Sequence, residues 1–257
     1  MTVQPNAELL GLYDETFLSH RAADIERFIA WRDARGDRPM PTAIEIGCNR
    51  GRFLAGVART HAPDPVLGIE WRAKFARWAV EWMGKRGHDN AEVLHGDAKL
   101  ILPTIIPVRS LDAVYVTFPD PWWKQRHASR RLLEPLFMRV IARRLKPGGR
   151  LYLKSDVFDY LYRVRAFAEV SGALRPLPSD LWPDESTWAL TTRERKCRQA
   201  AVPFGRGYYQ RAPDFDDTLP TEPERAEDFA IDENAPAESL IRGKPPADKA
   251  SKGRRRG

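Results

Sequence analysis

The sequence predicts a doubly wound α/β fold, in which helices cover both faces of a mostly parallel β-sheet. Short apolar runs typical of buried strands alternate with helical patterns over more than a hundred residues, and the connections are short. Right-handed crossovers between parallel strands bring the carboxyl ends of the strands to one edge, where ligands bind in such sheets. We therefore expect a functional site at that edge.

Length and charge predict one folded domain with two flanking segments. The chain has 257 residues, of which 42% are hydrophobic and 30% charged, enough for one sizeable core. We expect an N-terminal helical segment at 1–38, a globular domain at 39–212 and a disordered tail at 213–257, because the last stretch is rich in proline and lacks periodicity. That tail has a net charge of −3, which leaves +10 for the rest. A basic folded part favours nucleic acid as a partner.

Composition also excludes several classes of protein. The apolar stretches are far shorter than the ~18–20 residues needed to cross a bilayer, and the opening MTVQPNAELLG lacks a signal-peptide pattern. Cys48 and Cys197 have no nearby His or Cys at a metal-ligand spacing. We therefore expect a cytoplasmic monomer that contacts no membrane and has neither a disulfide framework nor a metal site.

Local patterns predict the individual elements. Apolar residues recur at three- and four-residue steps between 7 and 32, which predicts helix, and Pro39 and Pro41 end it. Apolar runs bounded by turn residues predict strands, and helical patterns follow the first, second and fourth of them. The predicted strands are 42–47, 65–70, 92–97, 111–118 and 150–155, the predicted helices are 52–59, 72–86 and 129–145, a Lys-Pro-Gly-Gly turn spans 146–149, and 204–211 forms a closing strand.

Four acidic residues lie near the carboxyl ends of predicted strands: Glu45, Glu70, Asp97 and Asp120. A glycine turn after the first strand and a carboxylate ending the second are typical of nucleoside binding, so Glu70 is the candidate for the ribose hydroxyls. The turn reads G-C-N-R-G rather than G-x-G-x-x-G, which disfavours a dinucleotide. Acidic strand ends suit a ligand with a cationic group and an adenine amine, as in S-adenosylmethionine. The alternative is that Glu45 and Asp97 only cap the following turns.

The segment after the fourth strand, Phe118-Pro-Asp-Pro-Trp-Trp-Lys-Gln-Arg-His127, is the most specific feature of the sequence. Prolines on both sides of Asp120 restrict its backbone. A fixed carboxylate beside an indole can bind an unstacked base. The alternative is a rigid turn whose tryptophans, Trp123 above all, pack in the core.

Basic residues follow this segment. Nine Lys and Arg but only one acidic residue lie between Lys124 and Arg150. The residues that precede or open the predicted helix can form a patch facing phosphates, whereas those further along it could form a solvated face. The first group is Lys124, Arg126, Arg130 and Arg131, and the second is Arg139, Arg143 and Arg144.

Several motifs in order resemble the bacterial tRNA (guanine-N7)-methyltransferases. They are E-I-G-C-N-R-G at 45–51, G-I-E at 68–70, G-D-A at 96–98, F-P-D-P-W-W-K-Q-R-H-A-S-R-R at 118–131, S-D-V-F-D-Y at 155–160 and T-x-x-E at 191–194. The resemblance covers residues 42–211. It implies a Rossmann-like methyltransferase fold, with a mostly parallel sheet and an antiparallel closing strand, that uses S-adenosylmethionine to methylate N7 of a guanosine in the tRNA variable loop.

The resemblance also assigns roles to residues. It places Asp120 at the methyl donor or active centre, and we assign Asp120 the catalytic role of a fixed anion beside the purine ring. The sequence departs from the family at Asn49, which replaces a glycine, and at Ser155, which replaces a threonine. Asparagine tolerates positive φ, so we expect the loop to be preserved. The resemblance implies donor or active-centre contacts for Glu45, Glu70, Asp97 and Asp120, and tRNA contacts for Lys124, Asp156 and Thr191 to Glu194. We add Gly47 and Ala98 as candidate donor-binding residues, and Arg126, His127, Arg130 and Arg131 as candidate tRNA-binding residues.

The chemistry of this reaction asks mainly for positioning. Guanine N7 has an in-plane lone pair and no proton, so attack on a sulfonium methyl group needs no strong general base. Holding the two atoms at ~3–3.5 Å in line supplies much of the rate enhancement. Three alternatives remain open at this point: a nicotinamide-dependent dehydrogenase, a non-catalytic RNA-binding relative, and a methyltransferase acting on a different RNA.

Overall fold

Seven strands form one β-sheet within residues 5–122 and 130–225, the part of the chain that the computed structural model describes. They are β1 (Ala43–Ile46), β2 (Val66–Glu70), β3 (Ala91–His95), β4 (Leu111–Thr117), β5 (Leu145–Ser155), β6 (Leu174–Pro176) and β7 (Gly205–Arg211). Their order is β3-β2-β1-β4-β5-β7-β6. Strands β1 to β5 are parallel, whereas β7 is antiparallel to β5 and β6. The predicted mostly parallel sheet with an antiparallel closing strand is confirmed.

Strand β1 lies at the switch point of the sheet. The chain leaves β1 for β2 and β3 on one side and returns to β4 and β5 on the other. The loops that follow β1 and β4 therefore diverge, which opens a crevice at their carboxyl ends. All four residues of β1 are buried because helices cover both faces of the sheet.

Helices on the two faces enclose two apolar clusters, as the doubly wound prediction requires. Side chains of α4 and α5 form the smaller cluster, and those of α1, α2, α3, α6, α7 and α8 form the larger one. The helices are α1 (Ala7–Leu12), α2 (Glu15–His20), α3 (Ala22–Asp33), α4 (Leu54–His61), α5 (Ala73–Gly84), α6 (Ala98–Ile105), α7 (Pro135–Arg144), α8 (Phe158–Ser171) and α9 (Thr192–Gln199), with a short 3₁₀ helix at Ser179–Leu181.

The N-terminal pattern forms three short helices rather than one long one. The side chains of Asn6 and Asp14 accept backbone N–H bonds at the starts of α1 and α2, so each helix begins anew. Leu9, Leu18 and Phe28 are buried in the larger cluster. The segment before residue 39 therefore shares the core of the sheet.

The predicted helix 129–145 begins too early but ends within one residue of α7. α7 begins only at Pro135, because the preceding Glu134 has an extended backbone, the conformation that a following proline favours. At the other end, Leu145 already pairs with Leu111 as part of β5, and the Lys-Pro-Gly-Gly turn bulges out before the pairing resumes at Arg150.

Helices α6, α8 and α9 and strand β6 were not predicted. α6 is apolar on nearly all sides and contains Pro103, so it lacks the amphipathic period that marks a helix. α8 does carry that period, since Tyr160, Val164 and Phe167 are buried on one side of it. Strand β6 has only three residues, too few for a pattern.

The expected disordered tail is ordered in its first part. Phe215 is 7% exposed and Asp217 accepts hydrogen bonds from Arg109 and Arg211. Pro223 helps to line a cavity of about 440 Å³ beside α1. Residues 213–225 therefore pack on the fold because their acidic side chains meet arginines, and residues 226–257 lie outside the described residues.

The described residues contain neither a helix that could span a membrane nor a metal-binding cluster of side chains. None of their helices is both long and apolar enough to span a bilayer. Within 5–122 and 130–225, no group of three or more His, Cys, Asp or Glu side chains is arranged to hold a metal ion.

Candidate active site

The loop after β1 leaves space at the carboxyl edge of the sheet. Gly47 has a φ of +80°, and no atom lies within 4 Å of the position that a Cβ would occupy. Asn49 has a φ of +50°, which confirms that asparagine preserves the left-handed turn. The N–H groups of Gly47 and Cys48 donate to the carbonyl of Ile69, at 2.7 and 3.1 Å. The loop therefore turns back over the end of β2.

Glu70 joins two loops at the end of β2. Glu70 is 4% exposed, and its two carboxylate oxygens accept hydrogen bonds from the backbone N–H groups of Asn49 and Arg72, each at 2.9 Å. A carboxylate has about four lone-pair positions, so it can accept further hydrogen bonds. Glu70 thus fixes the loops and keeps acceptor capacity for a ligand.

Glu45 is buried at the end of β1, with 1% of its surface exposed. Thr117 Oγ1 donates to its Oε1 at 3.4 Å, whereas Oε2 is buried without a hydrogen-bond partner. Burial raises the pKa of Glu45 to about 8, and the nearby charge of Glu70 adds to the effect. An unsatisfied buried carboxyl oxygen is a feature that a hydrogen-bonding or cationic ligand would relieve.

Asp97 is the N-cap of α6, as the alternative interpretation expected. Its side chain accepts the backbone N–H of Lys99 at 2.9 Å and also the hydroxyl hydrogen of Tyr13. Ala98, the first residue of α6, is buried. Capping does not exhaust the acceptor positions of the carboxylate, and Asp97 remains at the same edge because the N–H of Gly96 bonds to the carbonyl of Glu70 at 3.1 Å.

Asp120 is exposed on a turn after β4 whose backbone is strained on both sides. Phe118 and Trp122 have φ values of +52° and +45°, a left-handed conformation that is rare for aromatic residues. The N–H of Phe118 donates to the carbonyl of Lys154 at 2.7 Å, which anchors the turn to β5. The turn that contains Asp120 thus follows β4, the strand that pairs with β1.

The basic patch is only partly described. Lys124, Arg126 and His127 lie outside the described residues, as does Trp123. Arg130 is exposed and its guanidinium lies 5.1 Å from the ring centre of Trp122.

Three other arginines of this region are buried and have structural roles, which corrects the prediction that they face phosphates or solvent. Arg131 is 7% exposed, and its Nε donates to the carbonyl of Trp122 at 3.1 Å, so it holds the turn instead of facing phosphates. Arg143 and Arg144 are each 2% exposed and pair with Glu8, so they form neither a patch nor a solvated face.

The T-x-x-E motif caps a helix. Thr191 is the N-cap of α9, and its hydroxyl oxygen accepts the N–H of Glu194 at 2.9 Å. Glu194 is fully buried and pairs with Lys154 and Arg198, at 3.4 and 2.9 Å. Thr191 and Glu194 therefore hold α9, and their contact with tRNA stays a prediction. Asp156 lies at the end of β5 and pairs with the exposed Arg193 on α9.

Two residues that the sequence analysis did not single out lie at this edge. Tyr13 reaches Asp97 across 84 residues of sequence, and no local pattern could have revealed that contact. Trp71 is 58% exposed and directly follows Glu70. Its position next to a predicted site residue could have identified it as a candidate. The structure therefore brings Glu45, Glu70 and Asp97 to adjacent strand ends with Tyr13 and Trp71 beside them, and Asp120 lies on the loop after the neighbouring strand β4.

Known proteins resemble the chain over most of its length. A family model described as "Putative methyltransferase" matches residues 39–205. A tRNA (guanine-N(7)-)-methyltransferase of Myxococcus xanthus (strain DK1622) is 34% identical over 167 residues, which cover 65% of this chain and 81% of the relative. The enzyme of the same name from Anaeromyxobacter dehalogenans (strain 2CP-C) is 40% identical over 180 residues, or 68% of this chain and 88% of the relative. Among solved structures, the aminoglycoside resistance methyltransferase NpmB1 has 22% identity and a TM-score of 0.47, over 70% of this chain and 91% of its own.

Proposed function

The chain belongs to the tRNA (guanine-N7)-methyltransferase family, and from this premise we propose that its carboxyl sheet edge transfers a methyl group from S-adenosylmethionine to N7 of a guanosine in tRNA. One observation carries the proposal. The exposed Asp120 stands on a strained turn at the end of β4, and β4 pairs directly with β1, whose loop is open at Gly47. Donor and acceptor can therefore lie side by side.

The residues at the ends of β1, β2 and β3 fit this donor. S-adenosylmethionine supplies a sulfonium methyl group, and its positive charge suits a site rich in carboxylates. The unpartnered Oε2 of Glu45 gives that charge an acceptor. We assign the cationic end to Glu45 and Gly47, the ribose hydroxyls to Glu70, and the adenine end to Asp97 and Ala98.

Asp120 is assigned to the acceptor. Guanine N7 carries no proton, so the protein needs to orient the base rather than to remove a proton. Positive charge develops on the purine as the methyl group moves, and a fixed anion beside the ring stabilises that charge in the transition state. The left-handed residues Phe118 and Trp122 constrain the backbone on both sides of Asp120, which supports this assignment.

We assign the variable loop of tRNA as the site of methylation and the basic residues after Asp120 as its contacts. Arg130 is exposed beside Trp122, where it can meet phosphate or a stacked base. Lys124, Arg126 and His127 extend the same segment. Asp156 directly follows β5, and we assign it and the residues of α9 to the same tRNA contact. The ion pair between Glu194 and Lys154 attaches α9 to β5.

The decisive experiment incubates the full-length protein with methyl-labelled S-adenosylmethionine and bulk tRNA, then maps the labelled nucleotide by mass spectrometry. We expect 7-methylguanosine in the variable loop. Label in 7-methylguanosine elsewhere contradicts the assigned position, and label in another nucleoside contradicts N7 chemistry. Binding of tRNA without any transfer identifies a non-catalytic RNA-binding relative, and transfer only to another RNA identifies a different substrate.

A cofactor titration excludes the dehydrogenase alternative. Binding of S-adenosylmethionine and of NAD to the purified protein is measured by calorimetry under the same conditions. We expect heat of binding only with S-adenosylmethionine, because the G-C-N-R-G turn lacks the glycines that approach a pyrophosphate. Binding of NAD with the tighter affinity contradicts the donor assignment.

A further inference from the structure

A residue outside the family match reaches the proposed donor site. The match begins at residue 39, yet Tyr13, between α1 and α2, donates its hydroxyl hydrogen to Oδ2 of Asp97. The other oxygen of Asp97 accepts the N–H of Lys99. The carboxylate therefore has one neutral donor on each oxygen, which fixes the plane of the group while leaving lone pairs for a third donor.

Several contacts hold Tyr13 in this position. Its own N–H donates to the carbonyl of Leu9 at 2.9 Å, closing α1. The side chain of Asn6 starts α1 and also donates to the carbonyl of Pro103 on α6, at 3.1 Å, so α1 is attached to the helix that Asp97 begins. The ring of Phe17 stacks on the Tyr13 ring, with centroids 4.3 Å apart and an angle of 11° between the planes. The hydroxyl is thus presented by a fixed ring.

The same segment also reaches the end of β2. The guanidinium of Arg21 lies 5.3 Å from the ring centre of Phe17 and 5.8 Å from that of Trp71. Trp71 follows Glu70, and its carbonyl is 3.0 Å from the Nε2 of His95. The N-terminal helices therefore contact both strand ends to which the adenosine part of the donor is assigned.

We infer that Tyr13 is a positioning residue of the methyl-donor site, which holds the Asp97 carboxylate in the orientation that accepts the adenine amine. This inference rests on the proposed function, because it needs Asp97 to contact the donor. Without the Tyr13 hydroxyl, Oδ2 of Asp97 loses its neutral donor and the carboxylate can turn about its bond to the rest of the side chain. The donor then has to restore that order when it binds, which weakens its affinity.

The test compares Tyr13→Phe with Tyr162→Phe, a control on α8 outside the assigned site. Affinity for S-adenosylmethionine is measured by calorimetry, thermal unfolding by circular dichroism, and methyl transfer by steady-state kinetics. We expect about tenfold weaker donor binding in Tyr13→Phe, a similar rise in the KM for the donor, and unchanged kcat and KM for tRNA. Tyr162→Phe should match wild type.

A second background shows whether Tyr13 acts through Asp97. In Asp97→Ala, adding Tyr13→Phe should change donor affinity by less than about twofold, because Asp97→Ala has already removed the acceptor of the Tyr13 hydroxyl. An equal loss in both backgrounds overturns the inference. So does a Tyr13→Phe variant whose Tm falls while its donor affinity stays at the wild-type value. If wild type itself binds no S-adenosylmethionine, the proposed function fails first, and the inference fails with it.

Discussion

Glu45 is buried at the carboxyl end of β1, where desolvation raises its pKa to about 8 from an ordinary value of 4.5. Between those two pH values the folded protein holds a proton that the unfolded chain releases. This group therefore stabilises the fold fully below the unfolded pKa, and its contribution is lost as pH rises through the folded pKa. A ligand with a positive charge reverses the preference, because it favours the ionised carboxylate.

The first prediction concerns Glu45→Gln, which cannot ionise. In the absence of ligand, the Tm of wild type should fall relative to that of Glu45→Gln as pH rises from 5 to about 8.5. The two Tm values should lie closest at pH 5, the lowest pH of the range, where residue 45 is neutral in both folded proteins. Thermal unfolding by circular dichroism across this range measures the difference. A constant difference at every pH contradicts a raised pKa for Glu45.

The second prediction concerns the role of Asp120 in methyl transfer. Asp120→Ala should lower kcat by about 100-fold, because it removes an anion that acts on developing charge. Donor affinity should change by less than about twofold, since the assigned donor contacts lie mainly at the ends of β1, β2 and β3. Single-turnover methyl transfer and calorimetry with S-adenosylmethionine measure the two effects. A variant with wild-type turnover removes Asp120 from the reaction.

Residue types at strand ends were predictable, whereas the surroundings of single side chains were not. The acidic strand ends and the tolerance of Asn49 for positive φ follow from local sequence. Burial of Arg131 and Glu194 does not, because it depends on helices packed from distant parts of the chain. Arg131 and Glu194 were therefore assigned only to tRNA, whereas in the structure Arg131 holds a turn and Glu194 holds a helix.

At the scale of elements, the strands were predicted more reliably than the helices beside them. A buried parallel strand is a short apolar run that needs no partner to be recognised. α7 instead depends on Pro135 for its start, and α6 lies too deep in the core to show two faces. The bounds of a helix thus reflect single residues and burial as well as periodicity.

Helix α1 is attached to α7 by a buried ion cluster, which gives the third prediction. Glu8 is 3% exposed and pairs with Arg143 and Arg144, at 3.1 and 2.7 Å. Glu8→Gln should lower the free energy of unfolding by about 3 kcal/mol, because two buried guanidinium groups lose their shared anion. Urea denaturation measures the loss.

Asp24 provides the control for this cluster. It forms exposed pairs with Arg21 and Arg27, at 3.3 and 3.0 Å, and such pairs contribute little. Asp24→Asn should therefore change the free energy of unfolding by less than about 1 kcal/mol. Equal losses in Asp24→Asn and Glu8→Gln contradict the special role of the buried cluster.

At the scale of the whole molecule, the C-terminal segment is part of the fold up to residue 225. Asp217 accepts hydrogen bonds from Arg109 and Arg211, and Glu224 pairs with Arg139 and Arg143. The composition of a proline-rich acidic segment is typical of a disordered chain. The arginines that fix it are spread over 100 residues of sequence, so its composition alone could not predict its packing.

The fourth prediction compares two truncated chains. Ending the protein after residue 225 keeps these ion pairs, whereas ending it after residue 212 leaves the buried Arg143 and Arg211 with fewer partners. The shorter chain should lose about 3 kcal/mol of unfolding free energy relative to the longer one. Urea denaturation of both chains checks this, and equal stabilities contradict it.

The fifth prediction concerns salt dependence of tRNA binding. Arg130→Ala should reduce the slope of log affinity against log salt by about one unit if Arg130 neutralises a phosphate. Lys146→Ala is the matched control, because Lys146 is exposed near the start of β5, at the opposite edge of the sheet, and pairs only with the exposed Asp112 among the contacts described. Filter binding at several salt concentrations measures both. An unchanged slope in Arg130→Ala contradicts the phosphate contact.

Arg143 pairs with both Glu8 and Glu224, which has a consequence for folding during synthesis. A ribosome releases the first helix long before residue 224, so α1 waits for its complete set of partners while most of the chain is synthesised. Because Tyr13 directly follows α1, we expect nascent chains to acquire tight donor affinity only late in translation. Ribosome-bound chains stalled before and after residue 224 should differ accordingly in their retention of labelled S-adenosylmethionine.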